Sequence, residues 1–493
     1  MTDLEKYFST YRKEIIGIDA EFDSPFGKKK ILYADWIASG RMYYPIEKKL
    51  IENFGPFVAN THTETNTTGS LMTRSYRYAH KYIKKHVNAG PQDVIITAGF
   101  GMTSVVNKLQ RILSLKGCGG KFNRECVKTQ NRPVVFVTHM EHHSNHTSWF
   151  ETIAEVVQLT PSPDLGIDLD ELQLQLEKYK DRNFKIGSFT ACSNVTGIHT
   201  PIHQMAKIMH EAGGLCFIDF AASAPYETIN MHPEDPMEKL DAIYFSPHKF
   251  LGGPGSSGVL IFDSSMYHAS VPDNPGGGTV DWTNPWGTYK YVDDIETRED
   301  GGTPGFLEAF RAAMAIELKE SMDPDKMKAR EKELLEIAFP GLRKIPGIKI
   351  LADKHEDRLG IISFYHEQIH FNLLVKLLND KYGIQVRGGC ACAGTYGHYL
   401  LEVSYEMSKA ITDKISHGDL SDKPGWVRLS LHPTMTNEEL NTFLTALNDI
   451  VTNIKELEKD YLYVNKLNEY IHKSEADTSQ MDTIVKDWFA LNH

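Results

Sequence analysis

Ala242-Ile243-Tyr244-Phe245-Ser246-Pro247-His248-Lys249, with Gly252-Gly253-Pro254-Gly255-Ser256-Ser257-Gly258 close behind it, is an apolar run that stops abruptly at a hydroxyl, an imidazole and an amine. Such a run, bounded by glycine-rich punctuation, reads as a buried strand. A lysine at the mouth of that strand, beside serine and histidine, suits an amine that must hold an aldehyde cofactor. Pyridoxal phosphate (PLP) is such an aldehyde, and a lysine Schiff base is its anchor. On its own, a lysine after a strand is a solvated loop residue, so the reading depends on what surrounds it.

Outward from this stretch, short apolar runs alternate with helical patterns between about residues 90 and 265. The strand candidates are 93–98, 133–138, 184–191, 215–220, 242–246 and 258–262, with helix-like stretches such as 168–181 and 201–212 between them. Most of the runs are apolar on both faces, as a parallel sheet covered on each side by helices requires. In open sheets of this kind ligands sit beyond the carboxyl ends of the strands. The polar clusters fall at such ends: 99–103, 139–145, Ser193 and Asn194, Asp219, and 246–249. Residues 264–304 read as a long Gly/Pro-rich loop region, functional or at an interface. A helical pattern from Gly305 leads into a second unit with short strands at 347–351, 360–365 and 426–431. The organisation expected is an N-terminal segment, 1–30, packing with the small domain; a large domain, 31–304; a small C-terminal domain, 305–455; and a charged helical tail, 456–493.

Bulk properties bound the function. The chain has 493 residues, 41% hydrophobic and 24% charged, enough for two or three domains. A net charge of −12 argues against nucleic acid or an anionic membrane as the main partner. No apolar run approaches the roughly 20 residues needed to span a bilayer, and the polar N-terminus lacks a signal-peptide core; the cytoplasm is the expected location. Six cysteines, at 118, 126, 192, 216, 390 and 392, are too sparse for a disulfide framework. Cys118 and Cys126 flank a surface excursion, while Cys192 and Cys216 read as buried, inert thiols.

Several residues carry chemistry only as a group. Asp219 ends the run Leu215-Cys216-Phe217-Ile218, where a carboxylate can pair with the pyridine nitrogen of PLP; alone it is a cap or loop Asp. Gly99-Phe100-Gly101-Met102-Thr103-Ser104 follows a strand and opens a helix, so backbone N–H groups around Met102 can meet a phosphate, with Thr103, Ser246 and His248 adding donors. Glu141-His142-His143-Ser144-Asn145-His146 suggests a metal site, but no second ligand set recurs; an imidazole stacked on a cofactor ring accounts for the position better, and a surface loop is the plain alternative. Arg387-Gly388-Gly389-Cys390-Ala391-Cys392-Ala393-Gly394 places a thiol among small residues on an exposed, mobile loop; a redox pair and half of a metal site are the competing readings, though Cys-x-Cys without a second pair argues against a closed zinc site.

Together these motifs resemble the class V aminotransferase fold, in its cysteine desulfurase and selenocysteine lyase branch, over roughly residues 30–450. The resemblance implies an α/β chain of PLP fold type I, with a mainly parallel sheet between helices in the large domain and a smaller α+β domain. Ser246-Pro247-His248-Lys249 is similar to the family's Ser-Gly-His-Lys, making Lys249 the Schiff-base lysine. Glu141-His142-His143-Ser144-Asn145 is similar to Glu-His-His-Ala-Asn, making His142 the ring-stacking imidazole. Cys192-Ser193-Asn194-Val195-Thr196-Gly197 resembles Ser-Asn-Val-x-Gly, with Asn194 near the substrate carboxylate. Arg298-Glu299-Asp300-Gly301-Gly302-Thr303-Pro304 resembles Arg-Phe-Glu-Ala-Gly-Thr-Pro, whose Thr reaches the partner subunit's phosphate, so Thr303 implies a homodimer. Arg387 to Ala393 resembles Arg-Thr-Gly-His-His-Cys-Ala, with Cys392 on the sulfur-accepting position. Trp426-Val427-Arg428-Leu429-Ser430-Leu431 resembles Val-Arg-Ala-Ser, so Arg428, alongside Arg387, is the candidate clamp for an amino-acid carboxylate.

The departures are as specific. The family's Asp-x-Ala-Gln reads Asp219-Phe220-Ala221-Ala222, so Ala222 stands where a Gln contacts the PLP phenolic oxygen, and Cys390 and Ala391 replace two histidines. The stretch 396–423 lengthens the path from Cys392 to Arg428 and sits where it can reshape the substrate entrance. The expected activity is conversion of L-cysteine to L-alanine with a persulfide on Cys392, with Lys249, Cys392 and His142 as catalytic residues, and with a sulfur-accepting partner protein. The alternatives are another class V reaction (selenocysteine or C–S lyase, epimerase, aminotransferase) and a non-catalytic sulfur-relay scaffold.

Overall fold

The computed structural model describes residues 1–116, 129–475 and 479–491. Cys118 and Cys126 lie outside the described residues.

The apolar runs pair into a seven-stranded sheet. Its order is Asp93–Ala98, Gly258–Asp263, Ala242–Phe245, Leu215–Asp219, Lys185–Thr190, Val134–Val137, Glu155–Gln158. From Ala242–Phe245 to Glu155–Gln158 the neighbours are parallel. Gly258–Asp263 is antiparallel to both of its neighbours, because the chain returns to it through the 246–257 turn with no crossover helix. Both-face burial explains the composition: Val134, Val135, Phe136 and Val137 are all fully buried. The strand Glu155–Gln158 has no counterpart among the sequence candidates. It is a half-buried edge strand with polar ends, so its apolar signal is only two residues long.

The second unit is a four-stranded antiparallel sheet, in the order Ile348–Ile350, Ile361–His366, Trp426–Ser430, Arg387–Gly389. Two boundaries differ from expectation. The stretch Leu32–Tyr33, assigned to the large domain, pairs with Ile384–Gln385 of the small one, and Ala34 O accepts from Ser430 N; a two-residue strand carries no readable periodicity. The helix Phe306–Met322, assigned to the small domain, packs on Thr67–His86, and its buried Lys319 donates to Ala224 O at 2.7 Å. The N-terminal helix Asp3–Arg12 touches both units: Arg12 pairs with Glu439 at 2.6 Å, and Tyr11 Oη donates to Ser321 O of helix Phe306–Met322 at 2.6 Å.

Three further segments are more ordered or less helical than the sequence suggests. The loop 264–304 contains the hairpin Val280–Thr283 and Tyr289–Tyr291, and its far end is held by buried Lys108, which pairs with Glu299 at 2.7 Å. The tail is helical only at its ends: helix Asn437–Leu457 runs into the short turn Glu458–Asp460, the hairpin Tyr461–Val464 with Glu469–His472 is then laid on helix Phe371–Tyr382, with Tyr461 Oη donating to Asp380 at 2.9 Å, and helix Ser479–Phe489 follows. The stretch 396–423 forms the helix Tyr405–Ser416, which has no buried residue. No described helix is long and apolar enough to cross a membrane.

Candidate active site

Strand ends set the floor of the site. Beyond the carboxyl edge of the sheet lies a cavity of about 210 Å³ whose lining includes Met102, Thr103, His142, Asn194, Asp219, Ser246, His248, Lys249, Arg387, Cys392 and Arg428. All the sequence-derived site residues meet there except Thr303, which is exposed and does not line this cavity.

The Lys249 turn is fixed by close backbone approach. Gly40 N donates to His248 O at 2.9 Å and Met102 N to Ser246 Oγ at 2.8 Å. A Cβ on Gly40 would lie 1.9 Å from Phe250 O, and one on Gly253 would lie 1.9 Å from Pro247 O, so neither position admits a side chain unless backbone moves. Gly40→Ala is therefore expected to destabilise the fold by about 2 kcal/mol and to weaken cofactor retention with it. Urea unfolding and cofactor titration check this; an unchanged protein in both would remove the clamp from the account.

Within the cavity the electrostatics are unbalanced. Among the described residues Lys249 Nζ has no hydrogen bond or ion pair, and burial lowers its pKa to about 8 against the pull of Asp219. Asp219 is 2% exposed and accepts one bond, from Ala221 N at 2.8 Å; burial raises its carboxyl to about 6. A buried carboxylate with no cation in ion-pair range among the described residues, in one cavity with an unpaired amine, is a poor arrangement unless a third body is inserted. A protonated pyridine nitrogen at Asp219 and an aldehyde carbon at Lys249 supply what each lacks, so the residues present fit PLP. Burial, and then the charge of Lys249, depresses His142 to about 3, keeping the ring neutral. It caps helix His143–Phe150, Nδ1 accepting from Ser144 N at 3.1 Å.

The helix Met102–Ile112 points its first turn at the same cavity. Gly101, lacking a Cβ, leaves its N-terminus open beside Ser246 and His248, and Thr103 Oγ1 lies 2.6 Å from Ser144 Oγ. Peptide N–H groups and hydroxyls in that setting favour an anion.

Two guanidiniums face each other on neighbouring strands, since Arg387 is the register partner of Arg428. Directly opposed like charges are destabilising in a sheet unless anions intervene. Arg428 is buried, donating to Asp35 Oδ1 at 2.8 Å and to Asn194 O at 3.1 Å, while its Nε is without a partner. Arg387 is exposed and has no hydrogen bond or ion pair among the described residues. The side-chain amide of Asn194 gives Nδ2 to Ala391 O at 2.8 Å and leaves Oδ1 buried and unpaired.

Sequence reasoning missed Asp35 and underused Glu141. Asp35 follows a two-residue strand and looks like an ordinary loop acid. Glu141, buried, accepts from Thr138 N and Oγ1, Asn145 Nδ2 and Thr190 N, tying the ends of two strands beneath His142; burial raises it to about 8. The cysteine loop also differs from expectation. Rather than hanging free, it is bonded to the large unit at Ala391 O, Cys392 O and Gly394 N. Cys192 and Cys216 are buried, and burial pushes both thiols well up. No three His, Cys, Asp or Glu side chains gather in metal-binding geometry among the described residues.

A family model described as aminotransferase class-V matches residues 32–443. A probable cysteine desulfurase of Halalkalibacterium halodurans is 26% identical over 396 residues, spanning 79% of this chain and 88% of the relative. One of Staphylococcus epidermidis is 28% identical over 371 residues, spanning 74% and 84%. Among solved structures, the apo structure of a cysteine desulfurase from Thermococcus onnurineus superposes with a TM-score of 0.72 at 20% identity, covering 90% of this chain and 98% of that one. An S-sulfonic acid form of a cysteine desulfurase from Escherichia coli gives 0.70 at 21%, covering 91% and 98%. The fold is thus PLP fold type I.

Proposed function

The chain belongs to the aminotransferase class-V family, a family of PLP-dependent enzymes, and from that membership we propose that it is a cysteine desulfurase, converting L-cysteine to L-alanine with a persulfide left on Cys392. The observation that carries the proposal is the opening of Cys392 and Lys249 into one cavity. The relatives named as probable cysteine desulfurases support it.

Bound there, PLP supplies an electron sink that weakens bonds next to the substrate's amino group. Lys249 and Asp219 would hold it at its aldehyde and its ring nitrogen, His142 would lie over the ring, and Met102, Thr103, Ser246 and His248 would receive its phosphate. Arg387 and Arg428 hold the substrate carboxylate, with Asn194 beside it. Lys249, whose pKa burial lowers to about 8, moves protons as general base and acid. The Cys392 thiolate attacks the substrate sulfur; an S–S bond forms, the substrate's C–S bond breaks, and a proton completes the methyl group of alanine. The sum is L-cysteine plus thiol giving L-alanine plus persulfide, and the outer sulfur is then available to an acceptor protein. Thr303, outside its own chain's cavity, completes the phosphate site of a second copy in a homodimer.

The test incubates the PLP-loaded protein with L-cysteine and quantifies alanine and sulfide. Cys392→Ala is expected to lower alanine formation by about 100-fold or more, the scale of a lost nucleophile. Undiminished alanine formation by that variant would remove Cys392 from the reaction. Ala222, in place of the Gln at the phenolic oxygen, favours a second reading as another class V enzyme: a lyase, epimerase or aminotransferase. A product screen over a panel of amino acids separates these.

A further inference from the structure

From the hydrogen bonds around the cysteine loop, we infer that His143 is a positioning residue that holds the Cys392 thiol at the cavity. His143 brackets the loop from both sides. Its backbone N–H donates to Cys392 O at 2.8 Å. Its ring Nε2 accepts from Gly394 N at 3.0 Å. Asn194 Nδ2 adds a third bond, to Ala391 O at 2.8 Å. The loop needs holding, because Ala391 and Cys392 both have positive φ, 49° and 55°. For residues with a Cβ that conformation is costly and persists only where the surroundings impose it. Gly394 is the position that permits the approach, since a Cβ there would lie 3.3 Å from the His143 Nε2.

The chemistry of the bracket is specific. An imidazole accepts at Nε2 only when that nitrogen is unprotonated, so the bond to Gly394 requires neutral His143 with its proton on Nδ1. The ring is half-buried, and burial, with Lys423 nearby, lowers its pKa, which keeps it in that form. Adjacent histidines thereby face different tasks at one helix start. His142 lines the cavity, and His143 grips the loop that carries the thiol. Cys390, by contrast, packs against the cluster around Trp426 and Tyr396, away from the cavity lining.

The inference rests on the desulfurase reading only for the task it gives the thiol; the tether itself is a matter of loop geometry. The experiment uses the full-length, PLP-loaded chain carrying Cys390→Ala, so that the loop has a single thiol. Alkylation of Cys392 by iodoacetamide is followed by mass spectrometry of its peptide. His143→Ala is expected to raise the rate about fivefold, the net worth of one neutral hydrogen bond, and His143→Gln, which restores an acceptor, to return it to within about twofold of the parent. Alanine formation should fall in kcat with KM for L-cysteine nearly unchanged. If His143→Ala does not fold, His143→Leu keeps bulk at the position of the ring while removing the acceptor. An alkylation rate unmoved in these variants overturns the inference. A rate that moves as expected while no preparation makes alanine leaves the tether standing and removes the desulfurase reading.

Discussion

Lys249→Met should abolish turnover and the visible absorbance of lysine-bound cofactor while making the cofactor-free protein more stable. The loss of activity, about 10⁴-fold or more, follows from removing the proposed covalent anchor and proton-transfer group. The stability gain follows from the cavity. Burial lowers the Lys249 pKa from 10.5 to about 8, with only partial compensation from Asp219. A lysine whose folded-state pKa lies below its unfolded value opposes folding once protonated. The penalty is complete at pH 7 and shrinks as pH rises through about 8 towards the free-lysine value of 10.5. Because the amine borders an open cavity, the expected gain at pH 7 is about 2 kcal/mol, below the full conversion of the shift. Urea unfolding of both proteins at pH 7 and pH 10 reads it: the difference should be present at the lower pH and smaller at the higher. A variant that is less stable at pH 7 would mean that Lys249 is satisfied by a partner and is not held free for a ligand.

The two arginines should separate recognition from architecture. Arg428→Ala removes a guanidinium that is buried and bonded to Asp35. It is expected to lower kcat/KM by about 100-fold and, by leaving Asp35 without its cation, to destabilise the fold by about 3 kcal/mol. Arg387→Ala removes the facing, exposed guanidinium, which no described residue holds. Its effect on stability should stay within about 0.5 kcal/mol, while KM for the amino acid rises about 10-fold or more. Steady-state kinetics beside urea unfolding gives the two-way comparison. Equal destabilisation by both variants would contradict the division, and an unchanged KM in Arg387→Ala would take Arg387 out of substrate binding.

Much of the site was legible because strand termini carry punctuation. Asp219, Ser246 and Lys249 each follow an apolar run whose end is abrupt, and the rule that ligands gather beyond the carboxyl ends of strands joins them without any three-dimensional information. Asp35 and His143 were illegible for the opposite reason. Asp35 acquires its role from Arg428, 393 residues away, and His143 from a loop 251 residues away. Nothing local distinguishes an acid that will meet a guanidinium from one that will meet water. The Tyr461–His472 hairpin was likewise hidden, because its mixed aromatic and charged residues become strand only when laid on helix Phe371–Tyr382.

What the amino-acid sequence determined alone was the sheet, the residue types at its edge and the chemistry they suit, since burial on both faces and abrupt polar ends are local properties of the chain. Tertiary structure alone decided which partner each group meets: that Asp219 and Lys249 share a cavity without pairing, that Arg428 is engaged while Arg387 has no partner among the described residues, and that the Cys392 loop is tied down. Partner choice is a long-range event. Its energy depends on distances and desolvation created only when segments hundreds of residues apart close on one another.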